Sequence, residues 1–407
     1  MSTWMLRLAR LPSLIGRPPG AIQYNAQIDG LRGLSILLVI VWHVSLRAAR
    51  HASELSAQGP AITNLYSYIP HGEIGVDFFF FISAIVITQI FATRTDKRLE
   101  VGKFYARRLW RIYPPYLVAL TGCFIALYAS GHAPGSISAL DPDAASLPES
   151  YAASLFYLHG LVFSTAPLLD PPLWSLEIEI QFYLVGPLIW VFFKYMPDRT
   201  KRVAALSALL AAMIVIPPLL KLYMPFDGRF RFGLLAHAYL FVGGMLAVSL
   251  DLATPSTDPR LRPALYDAML AVGLVAAAGV GLVLTQIDAQ PSGFWATLLL
   301  NVVTIAAIFG VFLGAMRGAI GRFVFGIPWL CLIGTMCYSI YLTHVVAIQI
   351  VSEKLLGRLA FRNPELIWGV WFLVLIPVSI AGGIVFYVYV ERPFMSRRKT
   401  RHLQQVS

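Results

Sequence analysis

The chain has 407 residues, of which 57% are hydrophobic and only 13% charged, and its mean hydropathy is +0.69. A soluble protein of this length needs far more charge to cover its surface, so a soluble globular enzyme is excluded. The formal charge of +11 raises nucleic acid as a partner, but no basic, aromatic-interleaved domain lies outside the apolar stretches, and nucleic-acid binding is set aside.

Hydropathy marks about ten stretches of roughly 17–25 residues, each long enough to cross hydrocarbon as a helix. They fall at 29–46, 74–91, 113–130, 173–193, 203–222, 234–250, 267–285, 294–316, 332–351 and 367–390. The predicted fold is all-α: one polytopic membrane domain over 23–394, between a basic N-terminal arm at 1–22 and a basic tail at 395–407. With the N-terminus assigned to the cytoplasm, 23 lysines and arginines flank the spans on that side and 8 on the other, leaving out Arg32 within the first span. The positive-inside rule then predicts an N-in, C-in topology. The arm lacks the long apolar core and cleavage site of a signal peptide and is expected to rest on anionic membrane lipid. Cys123, Cys331 and Cys337 lie in or beside spans, offer no disulfide framework or zinc spacing, and read as small buried hydrophobes.

In the first span, QIDGLRGLSILLVIVWHVS, three polar residues share one face. At about 100° per residue, Asp29, Arg32 and His43 fall within a stripe of about 60°, and His43 lies roughly 16 Å beyond Arg32 by helical rise. Asp29 and Arg32 fit an interface pair at i,i+3 as well as a functional one. An imidazole in mid-span is costly unless it is paired, so His43 is either a satisfied structural histidine or a functional group.

Further along, FYARRLWRIYPPY places Arg107, Arg108 and Arg111 within one helical turn at the cytoplasmic mouth of the third span. Guanidiniums suit bidentate phosphate contact, although a positive-inside flank also explains one or two of them. The segment 131–172 is external, without lysine or arginine, and its YAASLFYLHGLVF portion is too short to span. It reads as an interfacial or re-entrant piece, functional or merely connecting.

PPLWSLEIEIQFYLVGP opens the fourth span with Trp174, Glu177, Glu179 and Tyr183. Glu179 and Tyr183 are i,i+4 and share a face, and a carboxylate at that depth is placed to orient or deprotonate His43. Glu177 fits an interface acid at a helix N-terminus. Near the ninth span, Tyr338, Tyr341 and His344 follow i,i+3 steps and, with Ser339, make a polar face.

In this order, DGLRGLSILLVIVWH, GVDFFFFIS, RRLWRIYPPY, WSLEIEIQFY, YSIYLTH and the closing ERP of Glu391 to Pro393 resemble the membrane acyltransferase-3 family. The resemblance covers about 25–394. It implies acyl transfer, with acetyl the default, from a cytoplasmic acyl-CoA to a hydroxyl of an envelope carbohydrate at the outer face of the bacterial inner membrane. Acyl-CoA is then a co-substrate, and no tightly bound cofactor or metal is implied. The family's essential histidine falls on His43, its Asp-Gly-Leu-Arg opening on Asp29 to Arg32, its arginine pair on Arg108 and Arg111, and its Trp-Ser-Leu acid on Glu179.

Two departures stand out: Ser83-Ala84 where the family usually has Ser-Gly, and Cys337-Tyr338 where it often has Ser-Tyr. No appended hydrolase-like domain is expected. The resulting expectation has Arg107, Arg108 and Arg111 holding the coenzyme phosphates, and His43 acting as general base or acyl carrier. Glu179 would orient His43, Asp29 and Arg32 would line the inner approach, and Ser83, Trp174, Tyr183, Tyr338, Tyr341 and His344 would line the path or the acceptor site. The competing class is a secondary transporter or flippase, which also uses intramembrane charges. No matched pair of broken helices in two halves supports it.

Overall fold

A computed structural model describes residues 25–57, 65–92, 100–130, 145–223, 228–254, 262–287, 293–354 and 364–395. The basic arm, all but the first residue of the basic tail, and residues 131–144 of the segment expected to be external lie outside the described residues. Among the described residues every regular element is helical. The long helices are α1 (Ala26–Ala57), α2 (Glu73–Ala92), α3 (Val101–Ser130), α4 (Trp174–Tyr195), α5 (Arg199–Tyr223), α6 (Leu234–Ser249), α7 (Pro263–Gln286), α8 (Phe294–Arg317), α9 (Pro328–Thr335), α10 (Cys337–Lys354) and α11 (Pro364–Phe386). Among them are nine membrane-length apolar helices, or ten spans if the bent pair α9–α10 is one.

Burial sorts these helices. α2, EIGVDFFFFISAIVITQIFA, is apolar all round and accordingly central: 78% of its membrane-length window is buried, against 17% for α5. α1 packs against α2, α9, α10 and α11, which is why its polar stripe faces protein rather than lipid. Ala84 of α2 is fully buried opposite Gly244 of α6, where an added Cβ would sit 2.7 Å from the Ala84 methyl and 2.4 Å from the Phe81 carbonyl oxygen. The methyl that departs from the family's glycine is therefore matched by a glycine across the interface, and the close helix approach survives.

The ninth span departs from expectation. It is not one helix over 332–351 but α9 and α10, which meet at a bend of 77°. The cause is backbone contact with α1. A Cβ on Gly334 would lie 1.7 Å from the Asp29 carbonyl oxygen, and Gly30 and Gly33 meet the Phe325 and Leu330 carbonyls at 2.0 and 2.4 Å in the same sense. Gly33 of DGLRG and Gly334 thus seat α9 across the start of α1, while Gly30 receives Phe325 just before α9.

α3 also differs, beginning at Val101 and running through Pro114 and Pro115. Prolines strip N–H donors from a helix, and in hydrocarbon the freed carbonyls need other partners. Asn301 Nδ2 donates to Ile214 O, the carbonyl that Pro218 frees, at 3.4 Å, and on α3 Tyr338 Oη donates to Ile112 O, a carbonyl that neither Pro114 nor Pro115 frees, at 2.7 Å. The described part of the 131–172 segment forms two short helices, Leu147–Leu155 and His159–Phe163. The first is closed by a capping box of Ser146 and Glu149.

Candidate active site

His43 projects from α1 one turn beyond Val39, and its Nδ1 lies 2.8 Å from the Val39 carbonyl oxygen. A carbonyl only accepts, so Nδ1 carries the hydrogen and Nε2 is left with a lone pair. The same logic fixes His344 of α10, whose Nδ1 donates to Tyr341 O at 2.8 Å. Its bare Nε2 then stands 3.3 Å from His43 Nδ1 and accepts a share of that N–H. The rings meet edge to face with centroids 4.9 Å apart. His43 is half-buried and His344 fully buried behind it.

His344 is in turn held by the start of α4. Tyr341 Oη hydrogen-bonds to the Pro172 carbonyl and lies 2.6 Å from Ser175 Oγ, so the YSIYLTH and WSL segments are one interlocked unit.

His43 lines a cavity of about 170 Å³. Trp174 and Tyr341, both expected there, share its wall with Trp42, His71, Glu73 and Arg231, which sequence reasoning missed. Arg231 and Glu73 pair at 3.3 Å. The available signal was HGE, a histidine and an acid within two residues at the head of an apolar span.

The expected partnership of Glu179 with His43 is not what the structure builds. Glu179 accepts from Ser83 Oγ at 2.6 Å and from Tyr183 Oη, its i,i+4 neighbour on α4, so its carboxylate serves a different cluster. That cluster gathers the charges. Arg32 pairs with Asp29 at 3.6 Å and lies within electrostatic range of Glu179. The Arg108 guanidinium sits 5.5 Å from the Tyr183 ring centre, also within range of Glu179 and Arg32. Arg108 and Arg111 are half-buried, whereas Arg107 is exposed. The three arginines expected to act together are therefore divided. Tyr338, expected to line the path, spends its hydroxyl on Ile112.

Glu177 is no interface acid. It is fully buried and accepts the backbone N–H groups of His159 and Gly160 at 3.1 and 2.9 Å, tying the helix His159–Phe163 to α4. Burial pushes the imidazole of His159 down to about 4 and the carboxyl of Asp170 well above the usual carboxylate range.

A family model of an acyltransferase domain matches residues 25–388. The chain belongs to the membrane acyltransferase-3 family. It is 28% identical to the peptidoglycan O-acetyltransferase OatA of Listeria monocytogenes over 82% of this chain and 51% of that protein. It is 27% identical to a candidate membrane-bound transacylase, BcsY, of Komagataeibacter xylinus over 90% and 81%, and 24% identical to the O-acetyltransferase OatA of Staphylococcus aureus over 81% and 52%. The chain spans about half the length of the OatA proteins it matches. No solved structure matches it.

The family domain contains every helix described above, and the histidine the resemblance singled out, His43, lines the cavity.

Proposed function

We propose that this membrane protein is an O-acyltransferase, moving an acyl group, by default acetyl, from acyl-CoA to a hydroxyl of an envelope carbohydrate. The observation that carries the reading is the His43–His344 pair at the wall of a cavity. One imidazole is locked in the tautomer that bares Nε2, and the other accepts its Nδ1–H. A base needs this arrangement.

His43 Nε2 takes the acceptor's hydroxyl proton as the oxygen attacks the thioester carbonyl carbon. The C–S bond then breaks, and the thiolate leaves with the proton from Nε2. While His43 is protonated, His344 Nε2 and the Val39 carbonyl hold its Nδ1–H and stabilise the cation, as a carboxylate does in a hydrolase triad. His344 takes the place the sequence assigned to Glu179.

Arg108, with Arg111, is the side of the pair that faces the bundle, and it binds the phosphates of the coenzyme. Arg32, Asp29, Glu179, Ser83 and Tyr183 form the polar neighbourhood through which the donor approaches. The charge bias of the loops supports a cytoplasmic donor side, an N-in, C-in topology and the inner membrane as location.

The test is to incubate membranes containing the protein with labelled acetyl-CoA. The proposal expects label in carbohydrate and stoichiometric free thiol; a transporter or flippase of an envelope precursor leaves the thioester intact.

A further inference from the structure

We infer that the cavity beside His43 is the acceptor subsite and that it takes an uncharged pyranose ring; this rests on the acyl-transfer reading above and adds the class of sugar. The cavity, at about 170 Å³, suits one ring rather than a folded chain. Its wall combines two kinds of group that sugar recognition needs. Trp174 is half-buried and presents an aromatic surface, braced by His237 at 5.5 Å and Phe232 at 6.1 Å between ring centres. Glu73 and Arg231 offer a carboxylate acceptor and a fork of donors side by side, which vicinal hydroxyls can bridge.

The pairing also sets the charge preference. Arg231 is already neutralised by Glu73 at 3.3 Å, so a uronate entering the cavity meets no uncompensated cation and one carboxylate of its own sign. His71 faces the same carboxylate: its Nδ1 accepts the Glu73 backbone N–H at 3.1 Å and lies 3.9 Å from the Glu73 carboxylate oxygen. Asp77, one turn deeper on α2, is buried and does not line the cavity. Lys221 lies within electrostatic range of Arg231 and also outside the lining.

The experiment uses the full chain in nanodiscs with methyl glucoside and methyl glucuronide as probes, read by saturation-transfer NMR, with acetyl-CoA turnover followed in parallel. The wild type is expected to receive saturation from the neutral glycoside and little from the uronide. Glu73→Gln strips the compensation from Arg231 and is expected to reverse the preference by about tenfold or more, the size of a hydrogen bond to a charged group. A misfolded variant does not gain a ligand, so the reversal is its own folding control. Trp174→Leu is expected to lose both glycosides.

Equal binding of the two probes by the wild type, or an unchanged preference in Glu73→Gln, overturns the inference. If those binding results hold while acetyl-CoA is never consumed, the acyl-transfer reading fails and the sugar site stands. If turnover is normal and lost in His43→Ala while the preference is absent, the reverse is true.

Discussion

At the scale of single residues, the weight falls on one imidazole and the group behind it. His43→Ala removes the base, and loss of general-base catalysis is expected to lower turnover by about 10²–10⁴-fold. His344→Gln keeps a polar side chain but loses the aligned nitrogen. We expect kcat to fall by about 10–100-fold with the acceptor KM little changed, because His344 acts through His43. Steady-state kinetics at equal expression separate these outcomes; a KM effect alone would make His344 a binding residue.

Arg108→Ala is expected to raise the KM for acyl-CoA by about tenfold and Arg107→Ala by less than about twofold, since charge-assisted phosphate contacts are the ones lost. The resemblance put the arginine pair on Arg108 and Arg111 and Arg107 joined them by spacing alone, since spacing does not record which side of a helix the bundle will cover. His43 was legible because an imidazole in an apolar run is costly wherever the helix packs. Its partner was not, because His344 lies 301 residues further along and only the packing of α10 on α1 brings it there.

At the scale of elements, the bend between α9 and α10 positions that partner. The bend rests on glycine contacts that leave no room for a methyl, so Gly334→Ala forces Asp29 and α9 apart. Overpacking of this kind costs about 1–3 kcal/mol, and here it also shifts the start of the helix that carries His43. The expected result is a lower Tm together with lost activity, whereas Gly122→Ala on α3, which meets nothing within 4 Å, changes neither.

The connection between α3 and α4 makes a different prediction. His159 is buried and uncharged, with its folded-state pKa at about 4 against an ordinary 6.5. Between those values the unfolded chain binds a proton that the folded chain refuses, so its contribution is present above pH 6.5 and is lost as pH falls toward 4. Asp170 works in the opposite sense, so the comparison has to be with His159→Gln, in which Asp170 is unchanged. The wild type should lose stability relative to that variant on going from pH 7 to about pH 4.5, read as the change in their Tm difference. A difference that stays constant with pH removes His159 from the account.

At the scale of the whole molecule, the number and places of the apolar spans were legible, because hydropathy depends only on local composition and the bilayer fixes the length required. What composition does not carry is contact between distant elements. The bend of α9–α10 arises from glycines on α1 and α9, and the cavity wall is assembled from α1, the head of α2, the start of α4 with the chain before it, the turn before α6, and α10. Its polar residues, His71, Glu73 and Arg231, look in sequence like ordinary flanks of apolar runs. Glu179 looked like the partner of His43 by depth alone, and the packing of α2 on α4 gave it to Ser83 instead.

The account as a whole stands on acyl transfer through His43. The most direct measurement is transfer of label from acetyl-CoA to carbohydrate in membranes carrying the wild type or His43→Ala at equal expression. The account predicts transfer by the wild type and at least a hundredfold less, about the lower bound for a lost general base, by the variant. Normal transfer by His43→Ala would contradict it.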